Sequence, residues 1–420
     1  MAIDRPTISW ALYDWANSAF ATTVMAGFFP IFFKQYWCVN VGVSSSTLRL
    51  GLANSIGSII VIFLAPLLGA IADQAGAKKR FLFIFTVLGV ASSAALYFIS
   101  KGNWLQAATL YVFAIIGFSG GNVFYDSLLL SISTPQHRDR ISALGFSLGY
   151  LGGGILFAFN VLTTLQPRLF GLADAAQAVQ LSFLMVAGWW LFFSLPLFFW
   201  VKEPSVSTPI AAKNSFWAGL QQLKKTGREI HRYRQVFLFL LAYWLYIDGL
   251  ATIVRMAVDY GMALGFTPEN LILALLITQF IGFPAALLFA SLGEKTGCKK
   301  AILGGIVTYL LITIWAMFME TIAEFYLMAT AIGLVQGGGQ ALSRSFYSRL
   351  IPINNAAEFY GFYNMLGKFA AVIGPLLMGA ISVISGNPRL SLLAIIFLFC
   401  SGGSLLLLVD EEEGQALVKI

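Results

Sequence analysis

Charged residues are scarce in this 420-residue chain: they make up 11% of it, against 58% hydrophobic residues. A soluble domain of that length needs more charge to cover its surface, so a soluble globular fold is excluded. Histidine is nearly absent, and both residues, His137 and His231, fall in polar connections. Cysteine is equally sparse. Cys38, Cys298 and Cys400 lie scattered without metal-ligand spacing, which implies neither a disulfide framework nor a metal site. There is no His/Cys cluster and no Walker-type glycine loop, so a membrane enzyme or an ATP-driven pump would lack its working groups. Neither metal nor cofactor is expected. No cleavable leader is expected. The first apolar stretch, 10–33, is too long for one and has no small-residue cleavage site, so it is expected to stay as a span.

What the chain does contain is a repeated apolar stretch of about 20 residues, long enough to cross a hydrocarbon core of about 30 Å. Twelve spans are predicted near 8–34, 48–74, 80–100, 104–132, 140–164, 178–201, 235–264, 269–292, 300–319, 322–350, 357–385 and 389–409. Backbone polar groups must be paired inside lipid, which favours a helical bundle. The one long polar connection, 202–234, divides the spans six and six. The expected fold is therefore an all-α membrane protein of twelve transmembrane helices. It has two pseudo-symmetric six-helix halves, 1–201 and 235–420, and a linker read mainly as a tether, though its basic residues could bind anionic lipid.

The net charge of +7 does not require a nucleic-acid partner. Basic residues cluster in alternate connections, 78–80, 137–140, 224–234 and 294–300. With the N-terminus inside, 19 lie on the inner side, against Lys34, Arg49, Lys101, Arg168 and Arg389 on the outer. That asymmetry predicts both termini in the cytoplasm. A bacterial inner membrane and a monomer are expected.

The halves look repeated. "GAIADQAGAKKR" (69–80) follows the second span and "ASLGEKTGCKKA" (290–301) the eighth. Asp73, Gly76, Lys78 and Lys79 precede Glu294, Gly297, Lys299 and Lys300 by 221 residues. "WALYD" (10–14) and "WLYID" (244–248) share W-x-x-x-D, and Pro135 stands opposite Pro352. Internal repeats of this kind are typical of transporters. Glycine allows the tight turn between antiparallel spans.

Run 69–80 resembles the loop signature between spans two and three of the major facilitator superfamily. Stretches 10–24, 123–154 and 343–379 are similar to its vacuole-effluxer-like branch, which includes a fungal vacuolar amino-acid effluxer. The resemblance covers essentially the whole chain. It implies that Asp73, Gly76, Lys78, Lys79, Arg80 and the repeat residue Glu294 help hold an inner gate, and that amino acids or similar small polar solutes are moved. The chain departs from the pattern at Gln74 and Ala290.

Several spans carry polar stripes. On the seventh, Trp244, Asp248, Thr252, Arg255 and Asp259 fall on one side of a helix that turns about 100° per residue. A charge at mid-bilayer costs about 2.5–3.5 kcal/mol, so the stripe should face protein or water. It either lines a cavity or forms an ion pair that locks the helix. Asp14 and Asn17 share a face of the first span, with Asp14 serving either the inner gate or the deep cavity. The fourth span holds Asn122, Tyr125 and Asp126. The tenth holds Gln336, Gln340 and, near its inner end, Arg344. Amides both donate and accept, which suits a polar wall. Lys368, midway along the eleventh span, needs a carboxylate partner or loses its proton. It either binds a substrate carboxylate or cross-braces the halves, with Asp126 and Asp248 as candidate partners. Spans one, four, seven and ten line the pore in the resembled superfamily.

The expected function is secondary active transport of a small polar solute by alternating access, an amino acid or similar zwitterion, with protons as coupling ion. Asp248 is the first candidate proton carrier and Asp126 the second; Arg255 would fork onto a carboxylate. Asn17, Asn122, Tyr125, Trp244, Gln336, Gln340 and Lys368 complete the expected substrate wall, and Asp14 and Arg344 join the gate. The alternatives are a carrier of organic anions such as carboxylate siderophores, a carrier of amphiphilic drugs, or a non-transporting membrane sensor. "GFSLGYLGGG" (145–154) is expected to let helices approach closely, and "DEEEG" (410–414) to be a solvated acidic end.

Overall fold

A computed structural model describes residues 4–39, 43–203, 212–228, 233–385 and 388–418. The chain forms a helical bundle. The first six long helices are α1 (Arg5–Trp37), α2 (Val43–Ala75), α3 (Lys78–Leu96), α4 (Trp104–Ile132), α5 (Arg138–Leu165) and α6 (Ala175–Trp200). A connecting helix, α7 (Ala212–Arg228), leads to α8 (Arg234–Ala263), α9 (Pro268–Thr296), α10 (Cys298–Phe318), α11 (Ile322–Leu350), α12 (Ala356–Ser385) and α13 (Leu392–Leu408). A short helix, α14 (Glu411–Val418), ends the described chain. Among the described residues, ten helices are long and apolar enough to cross a bilayer. The other two long helices, α11 and α12, have 29 and 30 residues. The boundaries agree with the sequence reading to within a few residues.

In lipid, helices associate through close packing and hydrogen bonds, because the tails are as apolar as leucine. The glycine stripe of α5 shows this. A Cβ on Gly149 would stand 2.6 Å from Ser18 Oγ, and one on Gly152 2.6 Å from the Trp15 ring. The small residues therefore let α5 lie against α1, as expected. Within α1, Phe20–Phe28 forms a π-helical segment, a widened winding that is rare and often found at functional sites.

The turns after α2 and α9 contain Gly76 and Gly297 at φ 60° and φ 92°, which favour glycine. The bundle end that bears these turns and the 133–137 connection is called the basic end. Here the repeat runs one residue out of the sequence register. Lys79 Nζ donates to the carbonyls of Phe198 and Val201 at 2.8 and 2.6 Å, closing the end of α6. Lys299 Nζ, not Lys300, does the same for α13, through Leu407 and Val409 at 2.8 and 2.7 Å. The second turn is one residue shorter, so α10 begins at Cys298 where α3 begins at Lys78. Lysine suits this place because helix ends leave carbonyls unpaired and carry partial negative charge. Lys79→Met is expected to cost about 1–2 kcal/mol, read as a lower unfolding temperature in detergent. Arg80→Gln, at an exposed position, should leave that temperature unchanged.

Two sequence expectations change. The 202–234 connection contains the 17-residue helix α7 and is more than a tether. The acidic tail is docked as well as solvated: Glu411 pairs with Arg349 at 3.1 Å, and Glu413 accepts from Gln235. Beside the first basic turn, burial raises the Glu203 carboxyl above the usual range, opposed by the Lys79 backbone N–H it accepts at 2.6 Å and by the charges of Lys78 and Lys79.

Candidate functional site

A cavity of about 410 Å³ lies between the first six and the last six long helices. The α1 wall carries Asp14, Asn17, Ser18, Ala21, Thr22 and Ala26. From α4 come Phe118, Asn122, Tyr125 and Asp126; α5 adds Phe146, Gly149 and Tyr150. Across from them stand Tyr243, Ile247 and Val254 of α8, Gln279 of α9, Gln336, Gln340 and Arg344 of α11, and Tyr363, Asn364, Gly367 and Lys368 of α12.

Toward the basic end the cavity floor is an ion cluster. Arg344 is 2% exposed and its Nη1 lies 3.1 Å from Asp126 Oδ1 and 3.4 Å from Asp14 Oδ2. Its Nε and Nη2 donate to Ser142 Oγ and the Ser142 carbonyl at 2.9 and 2.8 Å. The Trp10 and Phe146 rings flank the guanidinium, with centroids 4.8 and 4.3 Å away. Tyr125 donates to Asp14 at 2.8 Å, and Asn364 Nδ2 to Asp126 Oδ2 at 3.0 Å. Gly145 leaves the room for this. A Cβ there would stand 2.7 Å from Asp14 Oδ2 and 3.0 Å from Arg344 Nη2. One arginine thus ties α11 to α1, α4 and α5. A buried cation is tolerable only when paired and fully hydrogen-bonded.

Below the floor, further bonds close the basic end. Arg349 pairs with Asp139 at 2.6 Å, Arg138 donates to the Ser348 carbonyl at 3.1 Å, and Ser142 to the Ala341 carbonyl at 2.8 Å. Asp73 accepts from the Ala357 and Glu358 amides at 3.2 and 2.8 Å, at the start of α12, where a helix favours an anion. Lys78 pairs with Asp73 at 2.8 Å.

The structure brings Asp14, Asn17, Asn122, Tyr125, Asp126, Gln336, Gln340, Arg344 and Lys368 to one cavity. Asn17 Nδ2 donates to Asn122 Oδ1 at 2.8 Å. Asp14 joins the cavity floor, beside Arg344. The Lys368 ammonium lies 5.7 Å from the Phe118 ring centroid.

The seventh-span stripe is a correction. Asp248 is 1% exposed, outside the cavity wall, and accepts from Thr252 Oγ1 at 3.3 Å and from the Gly374 amide at 2.9 Å. Trp244 packs against the core of the last six helices instead of the cavity. The cavity face of α8 is Tyr243, Ile247 and Val254, about 120° of helix rotation from the charged stripe. The Arg255 and Asp259 side chains lie outside the described ones. Among the expected gate residues, Asp73 reaches across to α12, while Lys78 pairs with Asp73 itself and Lys79 binds Glu203 and the carbonyls at the end of α6. Arg80 and Glu294 are exposed.

Sequence reasoning missed Asn364, Gln279, Asp139 and Arg349. Asn364 was legible, four residues before Lys368 and so on the same face. Gln279 stands in an otherwise apolar stretch. Asp139 and Arg349 read only as parts of inner-side charge clusters. Among the described residues, no group of three or more His, Cys, Asp or Glu is placed to hold a metal.

Residues 40–418 match the family described as Vacuole effluxer Atg22 like. The chain belongs to that family. Among relatives of this Atg22-like protein is the Bacillus subtilis (strain 168) protein named Uncharacterized MFS-type transporter YxiO. The two are 39% identical over 413 residues, which cover 96% of this chain and 94% of the relative. The Aspergillus niger Autophagy-related protein 22-1 is 28% identical over 66% of this chain and 48% of its own length. The chain thus spans about half of that fungal relative. The human organic anion transporter MFSD10 (TETRAN) superposes with a TM-score of 0.71 at 15% identity, covering 97% of this chain and all of that one, which shows the fold. The Atg22-like protein is a multi-pass membrane transporter with the major facilitator fold.

Proposed function

We propose that this transporter moves a small zwitterionic solute, an amino acid or a molecule of like charge pattern, by proton-coupled alternating access. The observation that carries the reading is the charge balance of the cavity. Two carboxylates, Asp14 and Asp126, and two cations, Arg344 and Lys368, share a wall with amides, hydroxyls, aromatic rings and a few small or aliphatic residues. Such a wall offers a carboxylate a cation and an ammonium group an acid. The balance disfavours a dedicated carrier of multiply charged anions.

Asp126 is the proposed proton site. It is the carboxylate whose two oxygens bind Arg344 and Asn364, on two of the last six helices. A proton on Asp126 removes the ion-pair attraction to Arg344 and leaves the Asn364 bond neutral, and charge-assisted bonds are roughly twice as strong as neutral ones. Protonation therefore loosens the closed floor and favours the alternative state, as a ligand does when it binds one state better. The two six-helix halves, 1–201 and 235–420, rock about this site, with both termini in the cytoplasm of a bacterial cell, where the basic end faces inward.

The test is flux in proteoliposomes with an imposed pH gradient and a solute panel spanning neutral amino acids, carboxylate siderophores and cationic drugs. Neutral amino acids are expected to move. Asp126→Asn should lower gradient-driven flux to the level of empty vesicles while keeping solute exchange without a gradient, and Asp248→Asn should keep both. Proton dependence that survives Asp126→Asn and disappears in Asp248→Asn would reverse the assignment. A ligand that binds without accumulating in any vesicle would favour the sensor reading.

A further inference from the structure

The connecting helix α7 has two different faces. Its residues, Ala212–Arg228, include no Asp or Glu. Trp217, Gln221, Lys224 and Arg228 follow one another at i, i+4, i+7 and i+11, within about 60° of one another on the helix, and Lys225 stands beside them. All five are exposed, Trp217 by 65%. The opposite face is packed. A Cβ on Gly219 would lie 2.6 Å from Ile71 Cγ1 of α2, and Thr226 is buried.

The packing partner fixes the depth of α7. Ile71 lies near the end of the apolar span Leu48–Ala75. A helix resting there sits where hydrocarbon gives way to headgroups, and the exposed face carries the residues that suit this layer: one tryptophan and three cations, with no acid within the helix itself.

We propose that this face of α7 docks on anionic phospholipid headgroups at the basic end. Charge complementarity and depth choose the occupant: a layer of phosphates is the nearest dense negative charge to a cationic helix at that level. Docking has a consequence for the gate. The packed face of α7 touches α2 two residues before Asp73, and Thr226 and Gln222 face Glu358 at the start of α12. A headgroup layer that holds α7 therefore steadies the α2–α12 seam.

Hydrogen exchange of the full-length protein in lipid nanodiscs tests this without any knowledge of the solute. In discs of equal parts phosphatidylcholine and phosphatidylglycerol, α7 amides should exchange at least about tenfold more slowly than in discs of phosphatidylcholine alone. The protection should fade in molar salt and be absent from the K224Q/K225Q/R228Q variant. Because those side chains are exposed, that variant should keep wild-type exchange in α4 and α11. Equal α7 exchange of the wild type in both discs would overturn the proposal, as would protection that persists in the triple variant. Stronger protection by soluble heparin in neutral discs than by phosphatidylglycerol would also overturn it, in favour of a soluble polyanionic partner.

Discussion

Arg344→Gln is expected to abolish transport and to lower stability by about 3–5 kcal/mol, the usual cost of removing one partner from a buried ion cluster. The reason lies in what the guanidinium leaves behind. Asp14 and Asp126 would face each other at the cavity floor without a cation, and Ser142 would lose two donated bonds. Arg344→Lys should not rescue function. A lysine amine is a point charge with three donors and cannot reproduce a planar fork that reaches α1, α4 and α5 together. The double variant Arg344→Gln/Asp126→Asn should regain part of the lost stability, since one unpaired charge is gone, yet remain inactive in proteoliposomes. Thermal unfolding of the three variants in detergent checks the first part. An Arg344→Gln protein that unfolds at the wild-type temperature would show that the cluster is not holding the floor together.

Gly69→Val should drive the transporter out of the conformation described here. A Cβ on Gly69 would stand 2.2 Å from the Ala357 carbonyl oxygen, and one on Gly361 2.6 Å from the Ala65 carbonyl oxygen. Both obstacles are backbone, so no side chain can swing aside. The α2–α12 seam at the basic end can close only with glycine at these places. Overpacking costs about 1–3 kcal/mol, which shifts the ratio of closed to open states by about 5- to 150-fold. Spin labels at Arg80 and Asn354, both exposed, in a protein with Cys400 replaced by serine, would report the separation across the seam. The distance distribution should lengthen in Gly69→Val, and flux should fall because the closed state is reached rarely. An unchanged distribution would mean that the seam yields elsewhere.

The route from sequence to site worked where hydropathy and polar placement carry the information. Span limits followed from apolar length. The polar groups of α1, α4, α11 and α12 were found because an amide or charge in a lipid-crossing helix needs a polar neighbour. It failed on α8. There the same rule picked out Asp248, which accepts from Thr252 and an α12 amide and stands outside the cavity wall. A helical stripe shows that polar residues share a side; it does not say which neighbour that side meets. The repeat misled in a related way. Asp14 and Asp248 occupy matching W-x-x-x-D positions, yet one lies on the cavity floor and the other against α12.

Composition, apolar run lengths and the spread of basic residues were enough to make this a helical multi-pass membrane protein, because lipid imposes the same length and pairing demands on every crossing segment. Those demands act along single helices. The rotation of α8, the one-residue shift that makes Lys299 the partner of Lys79, and the meeting of Asp14, Asp126 and Arg344 depend on how separate helices pack. That is set by close contacts such as Gly69 on Ala357 and Gly145 beside Arg344, between residues far apart in the chain.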